Sequence, residues 1–440
     1  MEAHAKSILK AIYDAAVRAV QPSTLLPKKL TISNGALAVE GRQGRSYFPL
    51  TGRVYVIGAG KGVDQSAPFW DALFHDRLER GALVSRDRSF RGRSERISLA
   101  IAGHPLPDRR SLKSTERCLR LLGAARRGDC VIFFLMGGAS SLLAKPAPGL
   151  TLEDKRRTAA LLLKSGMTIF EMNSIRKHLS GVKAGGILRH AYPAKVLTLA
   201  ISDVLGDDPT VIGSAPAFHD PTTYAEAWRL LGRYGLVEQL PQRVRAYLSR
   251  GVQGEIPETL KPGTTLSAGS PFVILANNKD ALLAAKKEAG SLGFAATILT
   301  SELSGRTITR AGELCSFLKR TKSYRRPHCF LLGGETTVRV RGKGRGGRNQ
   351  EFALASAIEL KGHGGLHMLS AGTDGSDGPT PAAGAFADGT TVAAALHLGL
   401  DPRRALRDND SYNFFKSLGE LFCPGPTGTN VLDLKIVLSY

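Results

Sequence analysis

This sequence predicts an α/β protein with parallel or mixed sheets. Short runs of β-branched or aliphatic residues recur along it, each ending abruptly in Gly, Ser, Asp or Asn, and a helical stretch often follows. The runs are continuously apolar rather than alternating, which suits strands covered on both faces by helical crossovers. A third observation divides the chain. Leu240-Pro241 and the stretch 251–270 are rich in Gly, Pro, Thr and Ser. The expected organisation is a larger domain over 1–245, a linker over 246–270 and a smaller domain over 271–440, with a cleft between the two.

The elements follow in chain order. Ile8, Leu9, Ile12, Tyr13, Ala16, Val17 and Val20 fall at helical spacing and predict an N-terminal helix. Strands are predicted at 54–57, 131–136, 196–201, 272–275, 330–332 and 368–370. Helical patterns cover 224–236 and 352–360, the second starting from Arg348. In parallel sheets ligands bind outside the carboxyl ends of the strands. The small and polar residues that end these runs sit there.

Composition narrows the class. A length of 440 residues suits two or three domains, and 42% hydrophobic residues exclude a disordered tail or a coiled coil. Glycine, at 49 of 440 residues, exceeds the usual ~7%, so backbone turns built on glycine are expected. Lys and Arg outnumber Asp and Glu 60 to 38, a net charge of +22. The five cysteines form no C-x-x-C pair, which argues against a disulfide framework or structural zinc and for a reducing, cytoplasmic setting. No apolar run approaches the ~18–20 residues of a membrane span, and the first residues lack a secretory core.

Several clusters could carry chemistry. Gly58-Ala59-Gly60-Lys61-Gly62 follows a strand. It fails the dinucleotide fingerprint because Val63 takes the final Gly position, and fails the Walker A pattern because Gly62 stands where Ser or Thr is required. What remains is a turn offering backbone N–H groups and one ammonium to an anion, or a plain strand-to-helix turn. Gly137-Gly138-Ala139-Ser140-Ser141 is a second nest for phosphate or carboxylate, or an ordinary serine cap. Asp203, Asp207 and Asp208 gather at one strand end, where carboxylates can hold Mg²⁺ or accept a hydroxyl proton. The loop 372–378 resembles a calcium loop only superficially, since the twelfth position from Asp374 is Ala385; contact with Mg²⁺ or a substrate hydroxyl is the favoured reading, with Asx turns in a Gly-rich loop as the alternative.

The segment 319–348 holds ten Lys/Arg against one acid, Glu335. It reads as a nucleic-acid patch or as a solvated basic face with Arg345 or Arg348 turned into an anionic site. The scarcity of aromatic residues there argues against base stacking. Gly344, Gly346 and Gly347 would let backbone approach a ligand closely. His104 lies in a Pro-rich loop, where a structural role is the commoner one, and neither His178 nor His219 has a partner at metal-ligand spacing.

Taken together, VYVIGAGKG (54–62), GHPLPD (103–108), FFLMGGASSLL (133–143), MNSIRKHLSGVKAGGI (172–187), LAISDVLGDDPTVIGSAP (199–216), GGETTVRV (333–340), GGRNQEFAL (346–354), GTDGSDGPT (372–380) and TGTNVLDL (427–434) resemble the MOFRL-type glycerate kinases. The stretches run in family order over nearly the whole chain. The resemblance implies a Rossmann-like N-terminal domain, a smaller C-terminal MOFRL domain and an active site in the cleft between them. It implies an ATP-dependent, Mg²⁺-requiring transfer of phosphate to the 2-hydroxyl of D-glycerate.

On that basis Lys61, Arg348 and Asp203 are the expected catalytic residues. The two cations would clamp the transferring phosphoryl group and the glycerate carboxylate, and Asp203 would take the hydroxyl proton. Gly58, Gly60, Gly62, Gly137, Gly138, Ser140 and Ser141 would cradle phosphates. Arg345, Asn349 and Asp377 would meet the substrate, and Asp207 and Asp374 would hold Mg²⁺. The partners expected are D-glycerate and ATP, with no specific nucleic acid and no membrane. Oligomeric state is left open, a homodimer included. Two rivals stand beside this: an NAD(P)H-dependent hydroxypyruvate reductase, against which Val63 argues, and a basic nucleic-acid-binding protein.

Overall fold

Three antiparallel strands, β1 (Leu30–Ser33), β2 (Ala36–Gly41) and β3 (Gly44–Pro49), make a small meander ahead of the first predicted strand. This computed structural model describes residues 1–87, 92, 94–320 and 327–440. Lys322, Arg325 and Arg326 of the basic segment lie outside the described residues.

The chain forms two units, one of Leu25–Leu275 and one of Met1–Thr24 with Ala276–Tyr440. This differs from the expected division at both ends. The helix Ala3–Ala19 belongs with the C-terminal residues, because its apolar face, including Leu9, Ile12 and Tyr13, is buried there and Tyr13 Oη donates to the Gly372 carbonyl at 2.8 Å. Within 246–270, the helix Gln242–Val252 already packs Val244 and Leu248 into a helical core of the first unit. The strand expected to open the second domain instead closes the first unit's sheet.

That sheet contains β4 (Val54–Ala59), β5 (Leu78–Ser85), β6 (Ile97–Ile101), β7 (Cys130–Leu135), β8 (Lys195–Ile201) and β9 (Phe272–Ala276). Its order is β6-β5-β4-β7-β8-β9, and the pairings from β6 through to β8 are all parallel. Chain progression therefore reverses between β4 and β7, the switch point of a doubly wound sheet, where ligands bind at the strand ends. Every residue of β4 and β7 is buried, as the continuous apolar runs require. Ile57, Phe133 and Val196 pack with Cys118 and Leu122 of the helix Arg109–Ala124. That helix starts at Asp108, which accepts from the Ser111 N–H at 3.0 Å in a capping box.

The second unit carries a mixed sheet of β10 (Ala295–Arg306), β11 (His328–Thr337), β12 (Leu366–Gly372), β13 (Gly384–Asp388), β14 (Leu421–Phe422) and β15 (Asp433–Ser439). The order is β10-β11-β15-β12-β13-β14; only β10 with β11 is parallel. The helix Arg348–Glu359 is buried over nearly its whole length, with Phe352 in one apolar cluster and Leu354 in another. The five cysteines are free, Cys423 alone exposed. No described helix is long and apolar enough to cross a membrane.

Candidate active site

The two glycine turns of the first unit lie side by side because β4 and β7 are neighbours. The Lys61 N–H donates to the Gly137 carbonyl at 2.8 Å, and the Met136 N–H to the Ala59 carbonyl at 3.0 Å. Glycine is required at the closest approaches. Gly60 has φ +148°, and a Cβ there would stand 2.4 Å from Met136. Gly138 has φ +89°, and a Cβ there would meet the His104 ring at 3.1 Å and Lys61 Cγ at 3.4 Å. The Lys61 stem and the His104 ring thus flank the second turn. Gly58 lies within β4, where a side chain would strike Leu83 and the Phe134 carbonyl, so it serves strand packing. The Gly62 N–H reaches Ser85 Oγ at 3.3 Å.

Ser140 and Ser141 open a short helix after the second turn. Ser141 Oγ donates back to the Gly138 carbonyl at 3.1 Å, an internal bond. Ser140 Oγ lies 2.9 Å from Ser214 Oγ, and Lys183 Nζ donates to the Ser140 carbonyl at 2.9 Å and to its hydroxyl. Lys183 was missed as a site residue, although it falls inside the stretch 172–187. A lysine followed by Ala-Gly-Gly gives no pattern that marks it as buried; its 5% exposure is set by tertiary packing. Asp203 and Asp207 lie in the loop after β8, the next strand along, both part-buried. Asp207 is 3.7 Å from Arg42 Nε. The carboxyl ends of β4, β7 and β8 thus bring Lys61, the two turns, Asp203 and Asp207 to one edge of one sheet.

The other predicted residues cluster in the second unit, around the start of the helix Arg348–Glu359. Arg348 donates to Asp433 through Nε at 2.7 Å and Nη2 at 2.9 Å, a bidentate pair, and through Nη1 to Glu335. Burial works against its charge, but Asp433 and Glu335 outweigh that and hold its pKa above the usual arginine value. Asp433 is fully buried; burial alone would raise its carboxyl, yet Lys435 and Arg348 hold it below the ordinary range. Lys435 Nζ donates to Asn349 Oδ1 at 2.6 Å and to Asp433 at 3.3 Å. Asp433 and Glu335, which orient Arg348, were also missed. They sit in the stretches 427–434 and 333–340, but the pairing joins positions 85 residues apart and no local spacing reports it.

Asn349 and Asp377 meet at the first turn of the helix Arg348–Glu359. Both are buried, and Asp377 accepts from the N–H groups of Asn349 at 3.1 Å and Gln350 at 2.9 Å, satisfying the helix's first donors. Arg345 is exposed and packs over Tyr412 at 4.9 Å from the ring centroid. A Cβ on Gly344, Gly346 or Gly347 would strike Asp410, Ser411 or Asp377 respectively, so the backbone runs close to this chain's own side chains there. Asp374 accepts from the Ser376 N–H at 2.9 Å in an Asx turn.

Residues 8–249 match the family described as domain of unknown function (DUF4147), and residues 328–433 match the MOFRL family. The chain is 38% identical to the D-glycerate 2-kinase of Thermotoga maritima, over 88% of this chain and 90% of that protein. It is 39% identical to an Agrobacterium vitis protein provisionally named hydroxypyruvate reductase, over 99% of this chain and 94% of that one. The crystal structure of a glycerate kinase from Thermotoga maritima superposes with a TM-score of 0.83 at 34% identity, covering 99% of this chain and 100% of that one. With both family matches in order along the chain and the fold shared end to end, this chain belongs to the MOFRL-type glycerate kinase family.

Proposed function

We propose that the protein phosphorylates the 2-hydroxyl of D-glycerate with ATP, giving 2-phospho-D-glycerate and ADP. The observation that carries this reading, beside family membership, is the pairing of two glycine turns at the switch point of a parallel sheet with Lys61 at their junction. Backbone N–H groups and an ammonium there suit a phosphate chain. In the reaction the C2 hydroxyl oxygen attacks the γ-phosphorus, the bond from that phosphorus to the β–γ bridging oxygen breaks, and ADP departs with the electron pair. Asp203 accepts the hydroxyl proton. Lys61 stabilises charge on the transferring group, the main demand in phosphoryl transfer.

Arg348 has five N–H donors, three of them committed to Asp433 and Glu335. Two remain for an anionic substrate, and the side chain is 34% exposed. Asn349 and Asp377 act here by fixing the helix that carries Arg348, in place of the direct contact the sequence suggested. Arg345 supplies positive potential from the surface.

Among the described residues no three His, Cys, Asp or Glu side chains converge as a metal cage. Mg²⁺ needs none, because it is held by one or two carboxylates together with substrate phosphates and waters. Asp207, part-buried at the sheet edge, fits that donor chemistry, and Asp374 is the corresponding candidate in its own unit. When bound, Mg²⁺ neutralises charge on the β- and γ-phosphates.

The reductase reading is not adopted: Val63 is buried where a dinucleotide loop needs its third glycine, the one that lets helix and strand pack closely in that fingerprint. ADP release that depends on added D-glycerate, with no NADH consumed in the presence of hydroxypyruvate, tests the assignment. NADH consumption without ADP release would reverse it.

A further inference from the structure

A cavity of about 280 Å³ lies in the first unit beside the second glycine turn. Its polar lining includes Ser140, Lys155, Thr158, Arg176 and Lys183, with Arg156 also on it, and Leu106 and Met172 stand among its apolar walls. Among the described residues, no acid lines the cavity to match these cations. Lys183 is buried, and among the described residues it bonds to oxygens of Ser140 and Ser214. Lys155 Nζ is shielded from solvent and makes no hydrogen bond. Among the described residues, Arg176 donates to Asn173 Oδ1 at 3.4 Å. The neighbouring Lys177, by contrast, is paired with the buried Asp220 at 3.2 Å.

Uncompensated charge in a shielded pocket is costly, and a bound anion relieves it. Burial first, and then the nearby Arg176, Lys155 and Lys177, push the Lys183 ammonium well below its ordinary pKa. The pocket also has an address. Ser140 belongs to the second glycine turn, and the Pro105–Pro107 wall follows His104, whose ring flanks Gly138.

We infer that this pocket binds the carboxylate of the small acid substrate, with Lys155, Arg176, Lys183 and the Ser140 hydroxyl as its recognition groups. The inference rests on the glycerate kinase reading and names the acid's subsite within it. A nucleotide phosphate offers similar oxyanion chemistry, but the geometry favours the acid. The volume lies at the small end of ligand pockets, roughly 300–1,000 Å³. Apolar walls suit a three-carbon chain better than a hydrated polyphosphate. Arg176 offers a planar fork that pairs bidentately with a carboxylate, as it would with a phosphate.

The test uses the full-length enzyme with Lys155→Met and Arg176→Ala, and Arg176→Lys as the conservative control. Lys155 has a part-exposed stem, so its replacement should fold even if a change at Lys183 does not. Affinities for D-glycerate alone and for ATP alone are read from ligand-dependent thermal shifts, and KM and kcat from ADP release. The expected result is a KM for D-glycerate raised at least tenfold in Lys155→Met and Arg176→Ala, partly recovered in Arg176→Lys, with ATP affinity within twofold of wild type. The ligand-free melting temperature of Lys155→Met should be equal or higher, since an unpaired buried charge is removed.

Unchanged D-glycerate affinity in both variants, while wild type turns over normally, would overturn the pocket assignment and leave the kinase reading standing. Lost ATP affinity with D-glycerate binding intact would give the pocket to the nucleotide. Wild-type enzyme that neither binds nor phosphorylates D-glycerate would refute the kinase reading, and the inference with it.

Discussion

Replacing Asp433 by Asn should destabilise the unit that contains it while preserving its shape. Asp433 is 0% exposed and is the shared counter-charge of Arg348, at 2.7 and 2.9 Å, and Lys435, at 3.3 Å. Asn keeps the size but removes the charge. Lys435, 1% exposed, is then left with an amide and the Asn349 carbonyl oxygen as its nearest acceptors. Losing one partner of a buried pair costs about 3–5 kcal/mol. Arg348 is about one-third exposed and keeps Glu335, so its share is discounted for solvent screening, leaving about 2–4 kcal/mol. At roughly 2–4 °C per kcal/mol for a unit of this size, the corresponding transition should fall by about 4–16 °C.

Calorimetry reads that transition, and the double variant Asp433→Asn with Lys435→Met separates the causes. If the stranded ammonium is the main cost, the second change should restore part of the loss. A shift below about 1 °C in Asp433→Asn, or a double variant less stable than the sum of its parts, would refute the reasoning.

Three further outcomes are expected. Lys61→Ala should lower kcat by roughly 10²–10³ with an unaltered circular dichroism spectrum, and wild-type kcat/KM would remove Lys61 from the chemistry. Asp203→Asn should cost about 10²–10⁴ in kcat if it accepts the hydroxyl proton, and normal turnover would reject that role. Burial and then Arg176 push Lys155 down to about 7, below its ordinary value of about 10.4. Between those values the unfolded chain binds the extra proton, so this group makes stability rise with pH from about 7 to about 10, its full penalty being felt below 7. Urea midpoints should therefore converge between wild type and Lys155→Met as pH rises from 6.5 to 9.5; a constant gap would place the lysine in water.

The fold was legible where apolar continuity alone decides structure. The runs at 54–57, 131–136 and 196–201 became the buried central strands β4, β7 and β8. Gly60 and Gly138 stood out because backbone must pass close at a strand end. Sheet membership was less legible. Phe272–Ala276 reads locally like any strand, and only its partners reveal that it completes the first sheet. Residues 1–24 are separated in sequence from the unit they join, so a boundary drawn from linker composition could not assign them. The site divided in the same way. Cations in glycine-rich turns were visible, whereas Lys155 sits in a run, Lys155-Arg156-Arg157, that looks like an exposed helix face, and Arg176 in an Arg-Lys-His run whose local sequence does not show that Lys177 and His178 beside it are buried. Asp377 had the right residue type for a ligand contact, but its carboxylate is consumed by the helix it caps.

Phosphorus NMR of the product formed from ATP, Mg²⁺ and D-glycerate bears most directly on the whole. It reads both whether the phosphoryl group moves and which oxygen receives it. Beside the signals of ADP, one new phosphomonoester resonance coupled to the C2 proton, that of 2-phospho-D-glycerate, is expected. A signal coupled to the C3 methylene, or ATP left intact, would contradict it.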